Sequence, residues 1–240
     1  GDDDTKHTVA NSSGDWQFIN FNNRLHCFHT GVVPQRYDGS LGSGVKWIAH
    51  ATDPASIVTL FDPSCGMGYY GKLWCGGVTE APDVVFYSVL LDGDDWTGSG
   101  SGYIDLKTVW GTDEIVAIAP FFGKLVIFGK NNIVVYDDPR SGGTLALNEV
   151  IKGIGCVSRD SVQAIADDLV FLSETGLRSL ARTTEKDKLP MQDLSRAIKD
   201  TLIRNISQST NVKSVYVENE GVYIMSFVDK NINYVFDFKH

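Results

Sequence analysis

The stretch "GKLVIFGKNNIVVYDDP", residues 123–139, sets an apolar run on each side of a short polar turn, and closely similar stretches recur along the chain. "FNNRLHCFHTG" begins at Phe21, "YYGKLWCGGVT" at Tyr69, "FFGKLVIFGKN" at Phe121, "IADDLVFLSET" at Ile165 and "ENEGVYIMSFV" at Glu218. Each has a lead-in and a turn, then an apolar strand opening at Leu25, Leu73, Leu125, Leu169 or Val222, in steps of 48, 52, 44 and 53 residues. A second strand follows each: "VVPQRYDG", "DVVFYSVL", "NNIVVYDD", "TGLRSLAR" and "DKNINYVFDF". In "KLVIFGK" the residues Leu125 to Phe128 are apolar on both alternating faces, and "DLVFLS" and "VYIMSF" behave in the same way. A half-exposed strand alternates with period two, so a strand apolar on both faces requires cover on both. The blades of a propeller meet that condition, because each small sheet lies between two others, and a period of about 40–50 residues is theirs.

The expected fold class is therefore an all-β β-propeller of about five or more blades, with the opening stretch as the inner hairpin of one blade. A sandwich or another all-β fold is the alternative. Asn131-Asn132 and Glu174-Thr175-Gly176 are the expected hairpin turns, since Asn and Gly tolerate positive φ. Two common propeller signatures are missing: no Trp-Asp dipeptide closes a blade, and there is no Ser-x-Asp-x-Gly-x-Thr-Trp box. One segment breaks the pattern. "LPMQDLSRAIKDTLIRNIS", 189–207, places Met191, Leu194, Ile198 and Leu202 at steps of three or four, which predicts an amphipathic helix. Pro190 suits its first turn, and Glu185 to Lys188 read as an exposed loop before it. Its apolar face can dock on its own chain or on a neighbouring subunit.

Composition narrows the function classes. A net charge of −9 argues against a surface that grips nucleic acid, which relies on clustered Lys and Arg. The 24 glycines and the 12 Phe, 9 Tyr and 5 Trp suit short strands and tight turns. Cys27, Cys65, Cys75 and Cys156 have no paired spacing, so free thiols are expected rather than a disulfide framework or a zinc site. No apolar run approaches about 18 residues, the length of a membrane span. "GDDDTKHTVANSSGDW" has neither the basic nor the apolar region of a signal peptide, and the sequons at Asn11 and Asn205 read as chance.

Possible chemistry is sparse. His26, Cys27 and His29 in "RLHCFHTG" suggest a metal, but strand residues three apart point to opposite faces, so the two histidines diverge. "LDGDDWTG", 91–98, lacks the alternation of a calcium loop because Asp94 and Asp95 are adjacent; it reads as a solvated turn capped by Trp96. "GDDD", 1–4, is the other carboxylate cluster. "GSGSG", 98–102, is neither a nucleophile elbow nor a phosphate loop and reads as a flexible connection. Arg159, Asp160 and Ser161 read as a polar turn. No catalytic, cofactor-binding or metal-binding residue is assigned, no cofactor is expected, and the chain is read as a non-enzyme.

Several runs carry a resemblance. "APDVVFYSVLLDGDDWTGSGSGYIDL", 81–106, contains Asp-x-x-Asp-Trp and then Gly-Ser-Gly-Tyr-Ile-Asp. "DEIVAIAPFFGKLVIFGKNNIVVY", 113–136, "GIGCVSRDSVQAIADDLVFLSETGLRSLAR", 153–182, and "GDWQFINFNNRLHCFHTGVVPQRYDG", 14–39, accompany it. Together they resemble the nozzle, or tail tubular protein B, family of short-tailed bacteriophages, which is related to the packaged-DNA stabilisation proteins. The likeness covers most of residues 14–182 and fades afterwards. It implies a virion structural protein of the tail, made in the host cytoplasm, with six copies in a nozzle ring that retains the genome and conducts it at ejection. Implied partners are the other copies, an adaptor ring, tail fibres and passing DNA that is not specifically bound. The chain is expected to be a single propeller-type domain over 1–240, within a longer polypeptide. A carbohydrate- or receptor-binding propeller at a virion or cell surface is the alternative, with Trp47, Trp74, Trp96 and Trp110 as aromatic platforms or as core.

Overall fold

The structure is a computed structural model that describes residues 15–37, 47–137, 145–180, 194–209 and 211–238. Its strands form five antiparallel sheets in which sequence neighbours pair. The first holds β1 (Gln17–Phe21), β2 (Arg24–His29), β3 (Val32–Tyr37) and β4 (Trp47–Ala49). The second holds β5 (Cys65–Tyr69), β6 (Lys72–Gly76), β7 (Val84–Tyr87) and β8 (Gly102–Asp105), followed by a one-turn helix, α1 (Lys107–Trp110). The third holds β9 (Ile115–Phe121), β10 (Lys124–Gly129), β11 (Asn132–Tyr136) and β12 (Leu147–Lys152). The fourth comprises β13 (Gln163–Ile165), β14 (Asp168–Ser173) and β15 (Gly176–Ser179). The fifth comprises β16 (Val212–Val217), β17 (Val222–Phe227) and β18 (Ile232–Asp237), and α2 (Lys199–Gln208) precedes it. The chain is all-β, and these sheets are the blades of a five-bladed β-propeller. Two compact units divide it: the first carries two sheets and β9 as far as Ile118, the second the rest from Ala119 onward.

The five recurring apolar runs are the second strand of each sheet in the first four and the middle strand of the fifth. Burial on both faces holds for the runs of β6, β10, β11 and β14, and from His26 onward in β2. It fails for β17, where Tyr223, Met225 and Phe227 are buried while Val222, Ile224 and Ser226 are half-buried. The fifth sheet is thus covered on one face among the described residues; Val215 and Val235 on its other face are exposed.

The turns that start each repeat explain its odd lead-ins. Phe21 pairs with Arg24 and Tyr69 with Lys72, which leaves two-residue loops at Asn22-Asn23 and Tyr70-Gly71. Both residues of each have positive φ (47° and 61°, 48° and 70°), as do Phe122 and Gly123 (44° and 74°). Such primed turns match the strand twist. The left-handed positions therefore lie one hairpin earlier than Asn131-Asn132; of the two expected turns, the one at residues 174–176 has positive φ, at Gly176.

In the first unit, β5 is thinned by glycine so that the neighbouring sheet can approach. A Cβ on Gly66 would lie 2.6 Å from Phe28 Cε2, and one on Gly68 2.8 Å from Phe21 Cδ2. Phe21 and Phe28 share a buried cluster with Phe61, Leu73, Phe86 and Trp96. In the second unit Phe128 meets Phe171 at 5.0 Å. The expected helix is present but shorter: 189–193 lie outside the described residues, as do Glu185 to Lys188, and α2 begins at Lys199 after a 3-10 turn, Arg196–Ile198. It docks on its own chain. Leu202 is fully buried with Leu172, Leu177 and Tyr223, and Leu194 and Ile206 pack against that cluster.

Leu202→Ala is expected to lower unfolding free energy by about 2–5 kcal/mol, since the cavity it leaves is walled by rigid sheet. Phe122→Asn, at a left-handed residue that is 67% exposed, is expected to raise it by up to about 1 kcal/mol. Urea unfolding of the two variants beside the parent checks both signs.

Candidate functional site

The densest polar cluster lies in the first unit, where the 47–52 segment "WIAHAT" meets the 92–98 turn "DGDDWTG". Asp94 is buried: Oδ2 accepts from Arg36 Nε at 2.5 Å and Oδ1 from the Ala51 amide at 3.1 Å. Asp95 Oδ1 accepts from the Thr52 hydroxyl and from the amides of Thr97 and Gly98 at 2.9–3.0 Å, and those amides lead in holding its carboxyl below the ordinary range. Thr52 Oγ1 in turn accepts the Trp96 amide at 2.7 Å. The turn expected to be solvated is therefore half internal, because Asp94 and Trp96 face inward.

From Trp96 a chain of rings runs through the interior. The indole Nε1 is a donor only, so His50 Nδ1, 2.9 Å away, must accept. Neutral His50 then carries its proton on Nε2 and donates to His26 Nδ1 at 3.0 Å. Neutral His26 in turn bears its proton on Nε2. Burial pushes His26 down to about 4, opposed by the Asp94 charge, and pushes His50 down to about 3, helped by the charges of His26 and Arg36. Both rings are therefore neutral at pH 7, and the tautomers are set by the donor at the chain's end.

His26 does not converge with His29. The register shifts between Cys27 and His29, and the His29 ring lies tilted against Trp16 with centroids 4.7 Å apart. Among the described residues no three His, Cys, Asp or Glu side chains are grouped to hold a metal; the "GDDD" cluster lies outside them. Trp74, Trp96 and Trp110 are buried core. Trp47 is half-buried, between Phe18 at 6.0 Å and Tyr37 at 5.5 Å. The "GSGSG" run forms a bonded turn rather than a loose link, with Ser101 donating to Gly98 O through both its amide and its hydroxyl.

The second unit has its own polar joint. Arg159–Ser161 is a 3-10 turn, as the polar-turn reading anticipates, and it links the fourth sheet to the fifth. Asp160 accepts from Lys213 at 2.6 Å and Arg159 at 3.2 Å, while Tyr223 donates to Ser161 O at 2.9 Å. Ser161 is wholly buried; its hydroxyl donates to Ser158 O and accepts the Leu172 amide. All four cysteines are buried and free. Burial pushes Cys27 up to about 12, Cys156 up to about 11 and Cys75 well above the ordinary thiol range, so these three are inert thiols at neutral pH.

An open cavity of about 320 Å³ adjoins the ring chain. It is lined by Phe21, Asn22, Asn23, Arg24, His26, Leu91, Asp92 and Gly93. Sequence reading missed this site, His50 and Arg36, because the groups that complete them, Asp94, Trp96 and the turn at Leu91 to Gly93, belong to the next repeat. The one local sign was a histidine directly after the short apolar strand "WIA".

No protein-family model matches the chain, and no curated protein matches it. Among solved structures, Sqt1 of Saccharomyces cerevisiae is similar with a TM-score of 0.49 and 11% identity over 89% of this chain. The AfRom2 CNH domain is similar with 0.48 and 14% over 88%, and the glutaminyl cyclase of Myxococcus xanthus with 0.39 and 11% over 87%. The chain spans 58%, 63% and 83% of those chains respectively.

Asp94→Ala removes a buried acceptor shared by the half-buried Arg36 guanidinium and the Ala51 amide, and is expected to cost about 1–3 kcal/mol of stability by urea unfolding. Acid should weaken the fold through the histidines. Their folded values lie below the unfolded 6.5, so the unfolded chain binds more protons as pH falls. Stability is complete above pH 6.5 and declines from there towards pH 4 and 3, by at most about 1.4 kcal/mol per pH unit per histidine. Urea midpoints at pH 7.5, 6.0 and 5.0 check this; a flat profile contradicts it.

Proposed function

We propose that this chain is a structural subunit of a short-tailed bacteriophage tail, part of a nozzle ring that retains the genome and conducts it at ejection. The observation that carries the reading is the part played by the run 81–106, one of the four runs that together resemble the nozzle family. Asp94, Asp95 and Trp96 within it are joints between the first two sheets, bonded to Arg36, Ala51, Thr52 and His50. Residues that carry the resemblance thus act as structural members, which suits a building block that turns over no substrate.

Rigidity is the property such a ring needs. A heterologous contact repeated by rotation closes into a ring if the rotation angle allows, and a subunit of fixed shape keeps that angle constant. Six copies are expected, seated against an adaptor ring and contacting tail fibres. The acidic balance of −9 lets DNA pass without being gripped. Among the described residues no helix is long and apolar enough to cross a membrane. The tryptophans give the sugar-platform alternative little support, since Trp74, Trp96 and Trp110 are interior.

Electron cryomicroscopy of the purified virion tests the proposal. The expected result is density for this chain in a distal tail ring with a water-filled lumen. Virions from which the chain is absent, by map and by peptide mass spectrometry, overturn it.

A further inference from the structure

We propose that the cavity beside the Asn22-Asn23 turn is a binding site for a single neutral sugar ring. The inference is independent of the tail-ring reading and starts from the ring chain. With Trp96 donating to His50 and His50 to His26, the remaining proton of the sequence sits on His26 Nε2. His26 is 1% exposed, yet it lines the cavity. Its Nε2 edge stays clear because residue 93 is glycine: a Cβ there would lie 3.1 Å from His26 Nε2, 3.0 Å from Cε1 and 2.9 Å from Phe21 Cδ1. The cavity floor therefore presents a buried donor of defined direction.

The rim supplies the complementary groups. The side chains of Asn23 and Arg24 are exposed and make no hydrogen bond or ion pair with other described residues. Asn22 is anchored by its amide nitrogen, which donates to Leu91 O at 2.5 Å, and its carbonyl oxygen remains an acceptor. Asp92 adds a carboxylate, one oxygen of which takes the Asp94 amide at 3.1 Å. Phe21 and Leu91 supply apolar contacts. One guanidinium and one carboxylate face the same space, so a charged ligand meets one like charge, whereas a neutral polyol satisfies both. Vicinal hydroxyls donate hydrogen bonds to Asp92 and accept them from Arg24, Asn23 and His26 Nε2–H, while ring C–H groups rest on the apolar walls. The cavity volume, near the lower end of the ~300–1,000 Å³ usual for small-molecule sites, limits the occupant to about one ring.

Two further features keep the site formed without ligand. Asn22 and Asn23 are held with positive φ, and Leu91, also left-handed with φ 59°, donates its amide to Gly71 O at 2.6 Å. Both rim turns are thus fixed by backbone bonds rather than by an occupant. Their exposed setting leaves the cavity open to a free monosaccharide or to the end residue of a longer glycan.

The test is NMR of ¹⁵N-histidine-labelled protein. Without ligand, His26 is expected to be the neutral Nε2–H tautomer at pH 7. Methyl glycosides of glucose, galactose, mannose and N-acetylglucosamine, each titrated to 100 mM, should include at least one that shifts the His26 Nε2 resonance saturably while His29 stays unmoved. Asn23→Gly, which suits the left-handed turn position, and Arg24→Ala change exposed side chains, so they should keep the parent melting temperature while weakening that sugar at least tenfold. Disaccharides carrying the same terminal residue separate the sources: tighter binding than the monosaccharide points to a glycan end, equal binding to a free sugar. An Nδ1–H tautomer, no saturable shift with any glycoside, or unaltered affinity in both variants overturns the proposal. So does saturable binding of acetate or inorganic phosphate in place of the sugars.

Discussion

The structure depends on one constraint: strands that are apolar on both faces must be covered on both. β10 and β11 are buried almost throughout, and β6 and β14 nearly so. A single sheet cannot shield such strands, and no long helices are present among the described residues to do so. Cover has to come from other small sheets at about 10 Å spacing. Much else follows from that closeness. In the first unit β5 carries glycines where Phe21 and Phe28 press on it, because a Cβ would meet their rings at less than 3 Å. Tight sheets also need the shortest connections, so aromatic residues are tolerated at left-handed turn positions such as Tyr70 and Phe122.

Apolar stacking is non-directional and would let sheets slide; polar joints set their register. In the first unit Asp94, Thr52, His50 and Trp96 fasten the end of one sheet to the long loop of the next. In the second, Asp160, Ser161, Lys213 and Tyr223 fasten the fourth sheet to the fifth. Both joints bury charge or hydroxyl groups and satisfy them internally, which suits a rigid building block and makes them costly to break. The same chemistry makes the first joint sensitive to acid, since its two imidazoles are buried uncharged. It also leaves one oriented donor at an open cavity, so a joint made for rigidity also shapes the proposed sugar site.

The division into repeats, the apolar hairpin in each and the helix near residue 200 were legible in the amino-acid order, whereas the three- or four-stranded make-up of each sheet was not. They arise from local period and turn chemistry: an apolar run after Asn-Asn, Tyr-Gly or Phe-Gly can only be the return strand of a hairpin. The exposure of one face of the fifth sheet was not legible, because "VYIMSF" has the same composition as the doubly covered strands. Nor was the inward turn of Asp94 and Trp96. A cluster of acids reads as solvated until its partners are known, and those partners, Arg36 and His50, lie 58 and 46 residues away.

The sequence by itself therefore determined the all-β class and the recurrence of apolar hairpins, because hydrophobic period and turn propensity act between neighbours a few residues apart; that there are five sheets was decided by the structure. Only the tertiary structure decided which polar residues are joints, which tautomer each histidine holds and where a cavity remains open. Those outcomes rest on hydrogen bonds between segments separated by 24 to 69 residues, and nothing in local order specifies such pairings.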